Sequence, residues 1–149
     1  MTVGEHFKGK SVGQNVKKVD ARKLVQGKPA YVDDLHLKGL LHAKILRSPH
    51  AHARITSIDI SRAEKYPGVH AVLYHGNVER IMHTTAGQGY PEPSPYDHTM
   101  FDNKVRFVGD RVAVVAAETE QIAEKALDLI KVEYEVLPAV FDPEKAMNE

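Results

Sequence analysis

The sequence predicts one α+β domain built on a mixed sheet, with two main helices and a long surface loop. Three observations carry this. Residues Arg111 to Ala117 are apolar on both faces after the first position, and a capped amphipathic helix follows directly. Earlier, between residues 40 and 74, the pattern runs strand, strand, short helix, strand. The two regions are separated by a stretch rich in glycine and proline. At 149 residues the chain can enclose one ordinary core, whereas two independent domains would each be marginal.

The elements follow in order. Met1 to Lys18 is polar and aperiodic and is expected to form an N-terminal arm, with the domain proper spanning residues 19–149. Asp20 can cap a short helix through Gln26, which Gly27 and Pro29 would end. Between Leu40 and Leu46, Leu41, Ala43 and Ile45 alternate with His42, Lys44 and Leu46, as in a strand with one face buried. Ser48-Pro49 breaks it. Over Ala53 to Ile60 a second strand would set Ile55, Ser57 and Asp59 opposite Arg54, Thr56, Ile58 and Ile60, and the short link suggests that the two strands pair antiparallel.

Ser61 and Glu64 have the spacing of a capping box at the start of a helix that Tyr66-Pro67-Gly68 stops. Val69 to Tyr74 is the next strand. From His75 to Asn103 the chain reads as loop, with one short helix near Asn77. Val105 to Phe107 resumes regular structure. The run ending at Ala117 suits a central strand covered on both sides. Thr119 caps a helix whose Ile122, Ala123, Ala126, Leu127 and Ile130 share a stripe. Val132, Tyr134 and Val136 alternate with Lys131, Glu133 and Glu135 in a last strand ended by Pro138. Asp142-Pro143 could start a helix, but one left incomplete before Glu149. The chain is expected to be a fragment of a longer subunit.

Composition narrows the function. Twenty basic and twenty acidic residues leave no net field to attract nucleic acid or a membrane surface. With no cysteine, thiolate catalysis, Cys-ligated zinc and iron–sulfur ligation by thiolate are excluded within the sequence. No apolar stretch approaches a membrane span or a signal-peptide core, so a soluble, cytoplasmic chain is expected.

Candidate chemistry is sparse. His50 and His52 could point to one side, but two ligands do not make a metal site, and His42 and His70 have no defined relation to them. A hydrogen-bonded pair is the simpler reading. Asp33-Asp34 and the Glu133/Glu135 pair offer carboxylates, yet adjacent acids diverge and alternate strand glutamates face water. Gly87-Gln88-Gly89 lacks the preceding strand and following capped helix of a phosphate cradle. No catalytic, cofactor-binding or metal-binding residue is therefore assigned. Arg47, Ser48, Pro49 and His50, irregular and next to the regular core, are expected to face a partner, as is the N-terminal arm.

Several segments resemble one family. They are Lys28-Pro29-Ala30-Tyr31-Val32-Asp33-Asp34-Leu35, the stretch from Leu40 to Ile55 containing Arg47-Ser48-Pro49-His50-Ala51-His52, and Tyr66-Pro67-Gly68-Val69-His70-Ala71-Val72. Val105-Arg106-Phe107-Val108-Gly109-Asp110-Arg111-Val112-Ala113 and Val132-Glu133-Tyr134-Glu135-Val136-Leu137-Pro138-Ala139-Val140 continue the series. Together they resemble the opening of the molybdopterin-binding large subunit of the xanthine dehydrogenase and aldehyde oxidase family, from Val19 to Ala146.

The resemblance implies an α/β-hammerhead fold and a structural, assembly role within a molybdenum hydroxylase that places water-derived oxygen into a substrate C–H bond. It also implies that molybdopterin and the catalytic residues belong to downstream domains, with iron–sulfur clusters and FAD on other domains or subunits, all of these being the expected partners. The isolated chain is then expected to hold no cofactor and to be inactive. A stand-alone, non-enzymatic hammerhead binding module is the alternative.

Overall fold

The computed structural model describes residues 15–28, 31–85 and 95–147. The chain divides into two units, residues 1–38 and 39–149. In the first unit, helix α1 spans Ala21–Val25 and Gly27 stops it at φ +63°. Asp20 stands at the cap position but makes no cap bond, because its carboxylate meets the Lys18 ammonium at 3.3 Å. Asp34 accepts the Tyr31 amide at 3.1 Å. Residues 1–14 of the expected arm, and Gly87-Gln88-Gly89, lie outside the described residues.

The second unit has the predicted α+β composition. Its strands are β1 (His42–Arg47), β2 (Ala53–Asp59), β3 (Val69–Tyr74), β4 (Lys104–Val105), β5 (Arg111–Ala117) and β6 (Lys131–Val136), with helices α2 (Ser61–Glu64), α3 (Glu120–Leu127) and α4 (Pro143–Ala146). The strands form two sheets rather than one mixed sheet, in the orders β1-β5-β3 and β4-β2-β6, and every described strand pair is antiparallel. β1 and β2 do not pair with each other. Ser48 is bonded into the turn before β5, so the chain leaves the first sheet there and β2 joins the second.

β5 is the central strand of its sheet, as expected. Ala113, Val115 and Ala117 point to one face and are fully buried with Ala123 and Ala126 of α3. Thr119 caps α3 by accepting the Ile122 amide at 3.2 Å, and Ile122 and Leu127 pack on the same core. The opposite face departs from expectation. Among the described residues of this unit, α2 and α3 cover one side of β5; on the other, Val114 and Ala116 are only partly buried.

β1 is reversed accordingly. Its Ala43 and Ile45 lie on the open face, opposite Ala116 and Val114, whereas His42, Lys44 and Leu46 share the face of Ala117, Val115 and Ala113. Alternation reports that one face is apolar, not which neighbour covers it. Lys44 tolerates the helix side because its ammonium bonds Glu120 and, at 3.1 Å, Glu124 on α3. Those bonds raise the Lys44 pKa, with the Glu120 contact leading, and hold Glu120 below its ordinary value.

In the second sheet a bulge between Ile55 and Ser57 overturns the simple alternation expected for β2. An extra residue switches the side on which later side chains emerge. Ile55 and Ile58 therefore both reach the core, while Arg54, Ser57 and Asp59 stay wet. Ala53, Ile55 and Val105 form the second core cluster with Val112, and Leu46, Ile58 and Val132 join it to the first.

Local polar groups explain the remaining differences. The Ser61–Glu64 capping box does not form; Ser61 is already helical, and Asp59 accepts its amide at 2.9 Å. No helix occurs near Asn77, whose side chain closes a turn by accepting from the Tyr74 amide and donating to the Val72 carbonyl, both at 2.8 Å. β4 ends at Val105 because the Asp110 carboxylate takes the Arg106 amide at 3.0 Å. α4 does form one turn, capped by Asp142 on the Glu144 amide at 3.0 Å. No helix among the described residues is long and apolar enough to cross a membrane.

Candidate functional site

The segment expected to face a partner is half of a clasp. Where β1 ends, the Ser48 amide donates to the Asp110 carbonyl and the Gly109 amide donates to the Ser48 carbonyl, both at 2.8 Å. Arg47 Nη1 donates to the Gly109 carbonyl at 2.9 Å. Ser48 is only 2% exposed, and its hydroxyl donates to the His50 carbonyl and accepts the His50 amide, each at 3.0 Å. Ser48 thus shapes the turn from inside. Arg47 and Pro49 are exposed and His50 is partly buried.

The other half of the clasp is the β4–β5 turn. Gly109 has φ +93°, a conformation that penalises any residue with a Cβ. Asp110 accepts from the amides of Arg106 (3.0 Å) and Arg111 (2.8 Å) and donates its own amide to Phe107 (3.2 Å). The turn is closed on itself and tied to β1, yet its tip is apolar: Phe107 is 52% exposed and Val108 66%. A rigid turn presenting large apolar side chains has the form of an interface anchor.

Facing that tip is the segment after β6. The Leu137 amide donates to the His52 carbonyl at 2.9 Å, and His52 Nδ1 bonds the Pro138 carbonyl, which requires the proton on Nδ1. The His50 ring meets Tyr134 edge-on at 4.9 Å, and burial pushes the Tyr134 hydroxyl pKa up. The two histidines are therefore engaged separately. Between the turn and this segment lies an open groove of about 740 Å³, lined among others by His52, Lys104, Arg106, Phe107, Val108 and Phe141. Phe141 is 83% exposed.

Electrostatically the groove is cationic. Arg106 donates to Asp102 and to the Lys104 carbonyl, both at 3.0 Å, and Asp102 also faces Arg80 at 3.7 Å. Burial raises the Asp102 pKa, but the Arg106 hydrogen bond and charge, the Asn103 amide and Arg80 outweigh it, so the carboxyl sits below its ordinary value. Lys104 has no ion-pair partner among the described residues.

No three His, Asp or Glu side chains converge among the described residues, the sequence has no Cys, and no Gly-rich strand–helix turn is present among them. Asp33-Asp34 lie in a one-turn 3₁₀ segment of the other unit, and Glu133 and Glu135 lie on the wet face of the second sheet. The sequence reading missed Lys104, Phe107, Val108 and Phe141. A signal was available: Phe-Val directly before a Gly-Asp turn is apolar where turn tips are usually polar.

The two small sheets with α3 on one of them define an α/β-hammerhead domain. The profile of the family described as "Aldehyde oxidase and xanthine dehydrogenase, a/b hammerhead domain" matches residues 26–138, and the chain belongs to that family. It is 53% identical over 138 residues to the probable hypoxanthine oxidase XdhD of Escherichia coli strain K12, covering 93% of this chain and 14% of that protein. It is 40% identical over 141 residues to the carbon monoxide dehydrogenase large chain of Afipia carboxidovorans, covering 92% and 17%. The crystal structure of quinoline 2-oxidoreductase from Pseudomonas putida 86 matches with a TM-score of 0.76 at 42% identity, over 94% of this chain and 18% of that one. The chain spans less than a fifth of each of these relatives.

Proposed function

We propose that this chain is the structural, assembly domain of the large subunit of a molybdenum-dependent hydroxylase, and that it works by docking rather than by chemistry. The clasp carries this reading: hydrogen bonds hold an apolar tip rigid and exposed beside a cationic groove, where a free-standing domain would place polar residues. Arg47, Pro49 and His50 border the clasp and belong to the same docking region, with Ser48 as its internal pin. The parent enzyme's molybdopterin, substrate pocket and proton-transfer groups lie on other domains, and its iron–sulfur and flavin groups on other domains or subunits. Residues 1–18 serve as an arm toward such a partner.

A chimera tests this. The 138-residue stretch of this chain that matches the E. coli XdhD protein would replace its counterpart there. The chimera should retain molybdenum and oxidoreductase activity, and Phe107→Glu with Phe141→Glu should lose both while the 149-residue chain carrying the same changes stays folded. The isolated chain should retain no molybdenum through gel filtration. Stoichiometric metal on that chain, or a fully active double-variant chimera, would overturn the proposal.

A further inference from the structure

The open face of the first sheet is patterned across its three strands. Ala43, Ala116 and Ala71 are register partners and form one row; Ile45, Val114 and Leu73 form the next. All six are apolar. Ile45 and Leu73 are each 40% exposed, and α3 and α2 pack into the core on the opposite side. The contrast with the second sheet is direct, because its outer face carries Arg54, Glu133 and Glu135. Past the Ile45 row the register brings Arg47 opposite Arg111. Neither arginine has a carboxylate partner among the described residues.

Shape and charge select the occupant. Three strands about 4.8 Å apart span roughly 10 Å, the width of one helix. The alanine row is a trough into which a helix can settle, as α3 settles through Ala123 and Ala126 on the opposite face. The larger row forms a step at one end, and beyond the step Arg47 and Arg111 are register partners, with Arg47 Nη1 on the Gly109 carbonyl; arginines in a partly desolvated contact call for carboxylates. A second copy of this chain does not meet these needs. Two such faces pressed together would gather four arginines and no acid, and α3, the one described helix of eight residues, already has its apolar stripe buried.

We infer that this face is the docking site of an amphipathic α-helix of a partner polypeptide, with an apolar stripe over the alanine row and carboxylates at the end that meets Arg47 and Arg111. The inference rests on the domain's assembly role but not on the groove. Two synthetic helical peptides with the same leucine stripe, one ending in glutamates and the other in lysines, test it against the full 149-residue chain by fluorescence polarisation. The acidic peptide should bind about tenfold or more tightly than the basic one at low salt, and Arg47→Glu should reverse the preference. Ile45→Glu and Leu73→Glu, at exposed positions, should each abolish binding with the circular dichroism spectrum unchanged. Phe107→Glu should leave peptide binding intact, so failure of the groove reading and failure of this one give different results. Equal binding of both peptides would overturn it, as would binding that survives Leu73→Glu, or a chain dimer in sedimentation that Leu73→Glu dissolves.

Discussion

Val114 and Val115 are adjacent, chemically identical and on opposite faces of the central strand, so truncating each to alanine measures what covers each side. Val115 is fully buried under α3. Removing two buried carbons costs roughly 1.6 kcal/mol in transfer free energy, and the void that the sheet cannot collapse into raises this to about 2–3 kcal/mol. Val114 is partly exposed on the open face. Water fills the space it leaves, so the cavity contribution vanishes and about 1 kcal/mol remains. The loss of strand propensity is the same for both and cancels in the comparison. Urea unfolding monitored by circular dichroism should place the Val115→Ala midpoint below that of Val114→Ala by roughly 0.5–1 M at unchanged slope. Equal costs would show that the second face is covered as fully as the first, and the reasoning about the open sheet would fail.

Two glycines with positive φ should behave unequally. Gly109→Ala carries only the conformational penalty of about 1–2 kcal/mol, since a Cβ there meets nothing within 4 Å; Gly68→Ala should cost more, because its Cβ would stand 2.8 Å from Ile122 Cδ1, and melting curves in which Gly109→Ala is the worse of the two would contradict the turn geometry. Asp102 has a depressed folded pKa, so its contribution to stability is present above the ordinary carboxylate value and is lost as pH falls through the lower folded one. Asp102→Asn should accordingly flatten the acid limb of the stability–pH profile below about pH 4, and an unchanged limb would remove Asp102 from the account.

Much of the fold was legible in local chemistry. The Thr119 cap, the α3 stripe, the Gly27 and Gly68 stops and the apolar run of β5 are written in short-range patterns whose physics depends on a few neighbouring residues. The segments shared with the hammerhead family were legible for the same reason, being contiguous. Missing were the features that depend on residues far apart. Which partner β1 chooses is decided by Ser48 bonding to Asp110 and Gly109, more than sixty residues away, and a one-residue bulge in β2 resets its faces without any mark in the alternation. Local pattern says how much apolar surface a strand carries, because that follows from side-chain type. Only the tertiary structure decides which way it faces, because Lys44 finds two carboxylates on α3 and Ala43 and Ile45 are then left on the open face.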